Sequence, residues 1–134
     1  MPHIDTHMHA KIFTQKGVKK FVELFFDEDD SILEGVKKAM QEHNLAEVNV
    51  EEADGVIKGG AINFFERSSY GSKELSDSRV MRVSGNFKLS YGELYGQMKI
   101  FTYDKPPLQG TLVRGKARAG FSLKLSFIEF VDSK

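Results

Sequence analysis

Residues 79–130 read RVMRVSGNFKLSYGELYGQMKIFTYDKPPLQGTLVRGKARAGFSLKLSFIEF, and this stretch decides the fold. Apolar and polar residues alternate through Arg79 to Leu89, Gln97 to Tyr103, Gly110 to Ala117 and Gly120 to Phe130, the period-two signature of β-strands. The last segment is the clearest: Phe121, Leu123, Leu125 and Phe127 would face inward, with Ser122, Lys124 and Ser126 outward. After Phe127 the apolar phase moves to Ile128 and Phe130, which implies either a bulge or a strand that is apolar on both faces. Two glycine signals punctuate the run, Ser84-Gly85-Asn86-Phe87 and Gly110 to Gly115, and a glycine inside a strand marks a bulge or a close backbone approach. Pro106-Pro107 breaks the chain between two of the strands.

Upstream, Val18 to Phe26 also reads as a strand, with Val22, Leu24 and Phe26 on one face and Phe21 and Phe25 on the other. The acidic run Asp27 to Asp30 precedes a helix expected over residues 31–43, from the spacing of Ile32, Leu33, Val36, Ala39 and Met40. Ser31 or Asp30 suits the N-cap, and the acidic residues complement the positive end of the helix dipole. His43 falls in the last turn, and Asn44 can take the left-handed position that ends a helix. Short strands are expected near Val48 to Val50 and Gly60 to Glu66, and Arg67 to Asp77 reads as a polar turn region. Residues 1–17, polar and rich in histidine, read as a flexible arm, leaving residues 18–131 as a single domain.

The chain has 134 residues, enough for one domain that buries roughly two-thirds of its unfolded surface. No apolar run approaches the ~18 residues of a membrane span and the N-terminus carries no secretory h-region, so no membrane partner and a cytoplasmic location are expected. With no cysteine there are no disulfides, thiolate metal sites or cysteine nucleophiles. Nineteen basic residues balance nineteen acidic ones, so no global field draws in nucleic acid or acidic membranes.

One helix and about seven short strands predict an α+β domain, an antiparallel sheet with the helix packed on one face. Phe25-Phe26 and Phe64-Phe65 put an aromatic ring on each side of their strands, and a single helix cannot cover both faces. Either the sheet curls on itself or a second subunit covers the exposed face; oligomerisation is the outcome expected here.

The order of motifs resembles the plant-and-prokaryote-conserved (PPC) domain over residues 18–131. The resemblance rests on the strand and acidic turn, the helix ending Gln41-Glu42-His43-Asn44, and Gly60-Ala61-Ile62. It continues through Val83-Ser84-Gly85-Asn86-Phe87, Gly110-x-Leu112-x-x-Gly115 and an apolar strand ending at Glu129. It implies a homotrimer with a seven-stranded antiparallel sheet. Many prokaryotic members carry a His-x-His before the glycine-rich turn and a third histidine within it, the set an open zinc site requires. The corresponding positions here are Tyr95, Gln97 and Thr111, none a good zinc ligand, so the resemblance implies a lost metal site and a remaining polar pocket. The plainer reading makes Tyr95 an edge aromatic and Thr111 a turn residue.

His3-Ile4-Asp5-Thr6-His7-Met8-His9 resembles the metal-binding opening of amidohydrolases, but those need a barrel of about 250 residues and further ligands downstream. His3, His7 and His9 would share one face if extended and could chelate zinc adventitiously; otherwise no cofactor is expected.

Plant PPC proteins bind DNA through a separate Arg-Gly-Arg-Pro hook, which the resemblance does not find here. Arg114, Lys116 and Arg118 alternate instead along a strand and are the candidate residues for an anion or phosphate, a stripe that a trimer would repeat three times; nucleic acid is not expected as a partner of this chain alone. The plainer reading is a solvated, edge-protecting charge stripe. Ser84 has no histidine partner in the core, and Glu66, Glu93 and Glu129 form no evident acid–base pair. The function expected is a non-catalytic oligomeric assembly or ligand-binding module, linked by resemblance to DNA-associated proteins. The alternative is a metal-dependent or small-molecule-processing enzyme with its pocket at a subunit interface.

Overall fold

The computed structural model describes residue 10 and residues 16–130. His3, His7 and His9, with the metal site expected of them, lie outside the described residues, as does most of the expected arm.

The elements run β1 (Gly17–Phe25), α1 (Ile32–Glu42), β2 (Glu47–Asp54), β3 (Val56–Glu66), β4 (Ser69–Ser90), β5 (Glu93–Thr102), β6 (Gln109–Ala117) and β7 (Ser122–Phe130). The domain is α+β, and all seven strands join one antiparallel sheet in the order β1-β7-β2-β4-β3-β6-β5. The expected turn region at 67–77 is instead mostly strand: Ser69 to Arg79 pairs with β3 in one unbroken register. Its serines, glycine and charges have low strand propensity, so the pairing partner and not local preference makes it a strand.

β4 is 22 residues long and serves two neighbourhoods. Its first half pairs with β3, and its second half pairs with β2 on one side and β5 on the other. Because β3 also pairs with β6, and β6 with β5, the strands β4-β3-β6-β5 close a ring. The sheet therefore curls on itself, one of the two arrangements that its two-sided aromatic strands allow. The curl encloses Ile57, Ile62, Leu75, Met98, Ile100 and Leu112, each nearly or fully buried.

At the β4–β5 pairing two backbones approach closely. A side chain on Gly96 would collide with the Asn86 carbonyl oxygen, and one on Gly85 with that of Gln97. Gly96 has φ of 110°, a conformation L side chains avoid. Gly85 falls in a glycine signal read as a bulge or a close backbone approach, and close approach is the reading that holds; Gly96 was not singled out by the pattern.

The helix packs Ile32, Val36, Ala39 and Met40 into the core and touches β6, β1 and β4. Ser31 is the N-cap, its hydroxyl accepting from the Glu34 amide at 3.4 Å, and Asn44 takes the left-handed conformation at φ of 55°. Within the acidic run Glu28 and Asp29 also bind the Lys58 amine, at 3.2 and 2.8 Å.

β1 pairs with β7 in unbroken register, so the phase change after Phe127 is no bulge there. Ile128 and Phe130 simply face outward, opposite Lys19 and Gly17. The bulge lies between Val50 and Glu52 of β2, where the Ser126 hydroxyl donates to the Glu51 carboxylate at 2.8 Å. The aromatic pairs split as the alternation requires: Phe26 is 5% exposed while Phe25 is 74% exposed.

Candidate functional site

β3 and β6 stay paired as far as Asn63 and Thr111, whereas β3 and β4 continue together to Glu66 and Ser69. The tip of the β3–β4 hairpin thus projects beyond its support. Between that tip and the β5–β6 connection lies a half-open groove of about 790 Å³.

Its floor follows from register. Asn63 faces Thr111 and Thr111 faces Lys99, so an amide, a hydroxyl and an ammonium line the groove on one face, and the row continues past the groove to Ser84 opposite Lys99. Directly opposed side chains in antiparallel pairs have Cβ atoms about 5 Å apart, close enough to act on one small group. Gln97 lies two residues from Lys99, and Gln109 two from Thr111, on the same face. The hairpin tip adds Phe65 and Tyr70, whose rings are 4.8 Å apart and 62% and 85% exposed. Lys73 lines the groove as well, its amine 5.8 Å from the centre of the Phe64 ring. Among the described residues no ion pair engages Lys73 or Lys99. Glu66 is the one carboxylate in the lining.

Of the residues taken for a polar pocket, Gln97 and Thr111 both line this groove. Tyr95 shares the face but sits beyond Gln97, opposite Lys88 and outside the groove. Asn63, Lys99 and the Phe65–Tyr70 platform were not anticipated. The alternation Gln97-Met98-Lys99-Ile100 carries enough information to find Lys99, because Met98 and Ile100 are buried. Tyr70 was hidden in the segment read as a turn.

The basic stripe is divided. Arg114 and Lys116 are exposed on β6, opposite Ala61 and Gly59. Arg118 lies just past the strand and is held by acids: its Nη1 donates to Glu28 Oε2 at 2.7 Å, and its Nη2 sits 2.6 Å from Asp77 Oδ1. Only Arg114 and Lys116 of the three are left to meet an anion.

Glu28 is the centre of that network. The Ala119 backbone amide, the Lys58 amine and the Arg118 guanidinium all donate to its carboxylate and bring its pKa down to about 2 from an ordinary 4.5. The hydrogen bond from Ser126 likewise lowers Glu51. A carboxyl whose pKa is lower in the folded state contributes stability that is complete above its unfolded value and is lost as pH falls toward the folded one. For Glu28 that window runs from about 4.5 down to about 2. Thermal melts through this window are expected to show a steep fall in Tm that Glu28→Gln makes shallower; equal slopes for the two proteins would contradict the assignment.

Among the described residues no three His, Asp or Glu side chains converge as a metal site would need. No helix among them is long and apolar enough to cross a membrane.

No protein-family model and no curated protein sequence matches the chain. Solved structures do. A metal-containing protein from Archaeoglobus fulgidus superposes with a TM-score of 0.72 at 16% identity, over 90% of this chain and 87% of that one. A plant- and prokaryote-conserved protein from Pyrococcus horikoshii gives a TM-score of 0.65 at 17% identity, over 95% and 87%. A candidate DNA-binding protein from Ralstonia eutropha gives 0.61 at 12% identity, over 88% and 84%. At such identities the likeness carries the backbone and not the chemistry: the chain has the fold of the plant- and prokaryote-conserved (PPC) proteins.

Proposed function

We propose that the chain is a non-catalytic ligand-binding module that assembles as a homotrimer through the outward face of its sheet. The observation that carries the reading is that this one face bears both the polar groove and a set of exposed apolar side chains. Phe21, Phe25, Ile128 and Phe130 crowd the β1–β7 end, and Phe65 and Tyr70 the groove. Large rings so exposed contribute stability when another surface covers them. Curling supplies the inner core but covers none of these rings. The groove is open on one side, so a neighbouring subunit could complete its wall.

DNA association, which the name of the Ralstonia relative raises, fits this chain as a partner role in a larger assembly and not as direct reading of duplex. Arg114 and Lys116 alone form a small footprint on a chain whose formal net charge is zero. The cytoplasm is the compartment we propose.

Light scattering at micromolar concentration is expected to give three times the 15.1 kDa chain mass. Exchanging Phe21 and Phe25 for glutamate is expected to shift the mass to that of one chain while leaving the far-ultraviolet circular dichroism unchanged. A monomeric wild type would overturn the assembly, and a trimeric double variant would move its interface elsewhere.

A further inference from the structure

The groove pairs two features that call for different parts of one ligand. Lys99 stands among neutral polar groups: the Thr111 hydroxyl faces it across the register within the groove, the Gln97 amide lies on the same strand and face, and Ser84 is its partner on the far side, outside the lining. No described carboxylate neutralises it through an ion pair. An ammonium surrounded by hydroxyl and amide donors matches an oxyanion, which accepts from all of them at once. Phe65 and Tyr70 form an exposed aromatic platform at the other end of the same groove. An aromatic platform matches a flat π-face.

The spacing selects the size. Phe65 is two residues beyond Asn63, and Asn63 is two strands from Lys99. At about 3.3 Å per residue and 4.8 Å per strand, the backbone separation is roughly 12 Å. A lysine side chain spans about half of that, so ring and anion must sit several ångströms apart in the ligand. A directly linked aryl phosphate is too short, whereas a base, a sugar and a phosphate in series reach. Asn63 and Gln109, between the two ends, offer both donors and acceptors to the heteroatoms of a ring edge.

We propose that this groove binds a small aromatic anion of nucleoside-monophosphate size, its ring against Phe65 and Tyr70 and its anionic group at Lys99 and Thr111. The proposal rests on reading the groove as the module's ligand site. It asks for no metal and no chemistry at the bound anion.

Titration of the full chain with adenosine monophosphate, adenosine and inorganic phosphate, followed by amide NMR shifts, tests it. The monophosphate should saturate, move the amides of Lys99, Thr111 and Tyr70, and bind at least about tenfold tighter than adenosine. Lys99→Met, at an exposed position, should reduce the monophosphate to the affinity of adenosine. Tyr70→Ala should weaken both nucleoside compounds about fivefold or more and leave phosphate unchanged. If the monophosphate binds no tighter than adenosine, or if Lys99→Met binds it undiminished, the inference is wrong. Saturable binding of adenosine alone in the groove would sink the anion assignment while keeping the ligand-binding reading. If neither these compounds nor a library of neutral and cationic fragments moves the groove amides, both readings fall.

Discussion

Gly96→Val is expected to lower unfolding stability by about 2–5 kcal/mol, the sum of overpacking and an unfavourable backbone conformation. Gly96 sits opposite Phe87 where β4 and β5 pair, with φ of 110°, and any Cβ there runs into the Asn86 carbonyl. The colliding atom belongs to the backbone of a ring-closing strand, so no rotamer change relieves it. β5 would have to move away from β4, opening the ring that holds Met98 and Ile100. Urea denaturation should show a large drop in midpoint. Gly59→Ala is the control: nothing lies within 4 Å of a Cβ built there, and a change within about 0.5 kcal/mol is expected. Comparable losses at the two sites would refute the close-approach account.

Phe121→Ala should cost about 3–5 kcal/mol, the usual range for deleting a buried phenylalanine ring. Phe121 is 1% exposed and packs its ring edge-on against Phe26, centroids 5.6 Å apart. The two residues are also tied through their backbones. The Phe26 amide donates to the Phe121 carbonyl at 2.9 Å, and the Gly120 amide donates to the Phe26 carbonyl at 3.0 Å. This clasp joins the end of β1 to the start of β7 just before the helix begins. For a domain of this size the loss corresponds to roughly 10–20 °C in Tm. Phe25→Ala, one residue from Phe26 but 74% exposed within one chain, should barely change the melting at concentrations where the chain is monomeric, and should cost more where the proposed trimer covers it. Equal losses at Phe25 and Phe121 in the monomer would refute the burial account.

The legible parts of the fold were those where local pattern and tertiary role agree. The helix declared itself through Ile32, Val36, Ala39 and Met40 together with Ser31 and Asn44, because periodicity and capping are encoded within a dozen residues. β7 did so through strict alternation. The 69–79 half of β4 did not, since its residues form a strand only because β3 lies beside them. The site was half legible for the same reason. Gln97 and Thr111 were found by their places in a motif, whereas Asn63 and Lys99 become neighbours of Thr111 only through pairing between strands far apart in the chain. The stripe Arg114, Lys116 and Arg118 illustrates the opposite error. Its alternation is real, yet Arg118 is drawn off by Glu28, 90 positions away.

By itself, then, the amino-acid sequence determined the α+β class, the helix and its caps, the inward and outward faces of the clear strands, and the aromatic surplus on both faces. These follow from short-range sterics and from the period of apolar residues. Only the tertiary structure decided that β4 is shared between two pairings, that the sheet therefore closes a ring, and that a lysine without an ion-pair partner among the described residues faces a polar row beside two adjoining, tilted rings. Strand partners and register are properties of contacts between distant segments, and no local pattern states which segment will lie beside which.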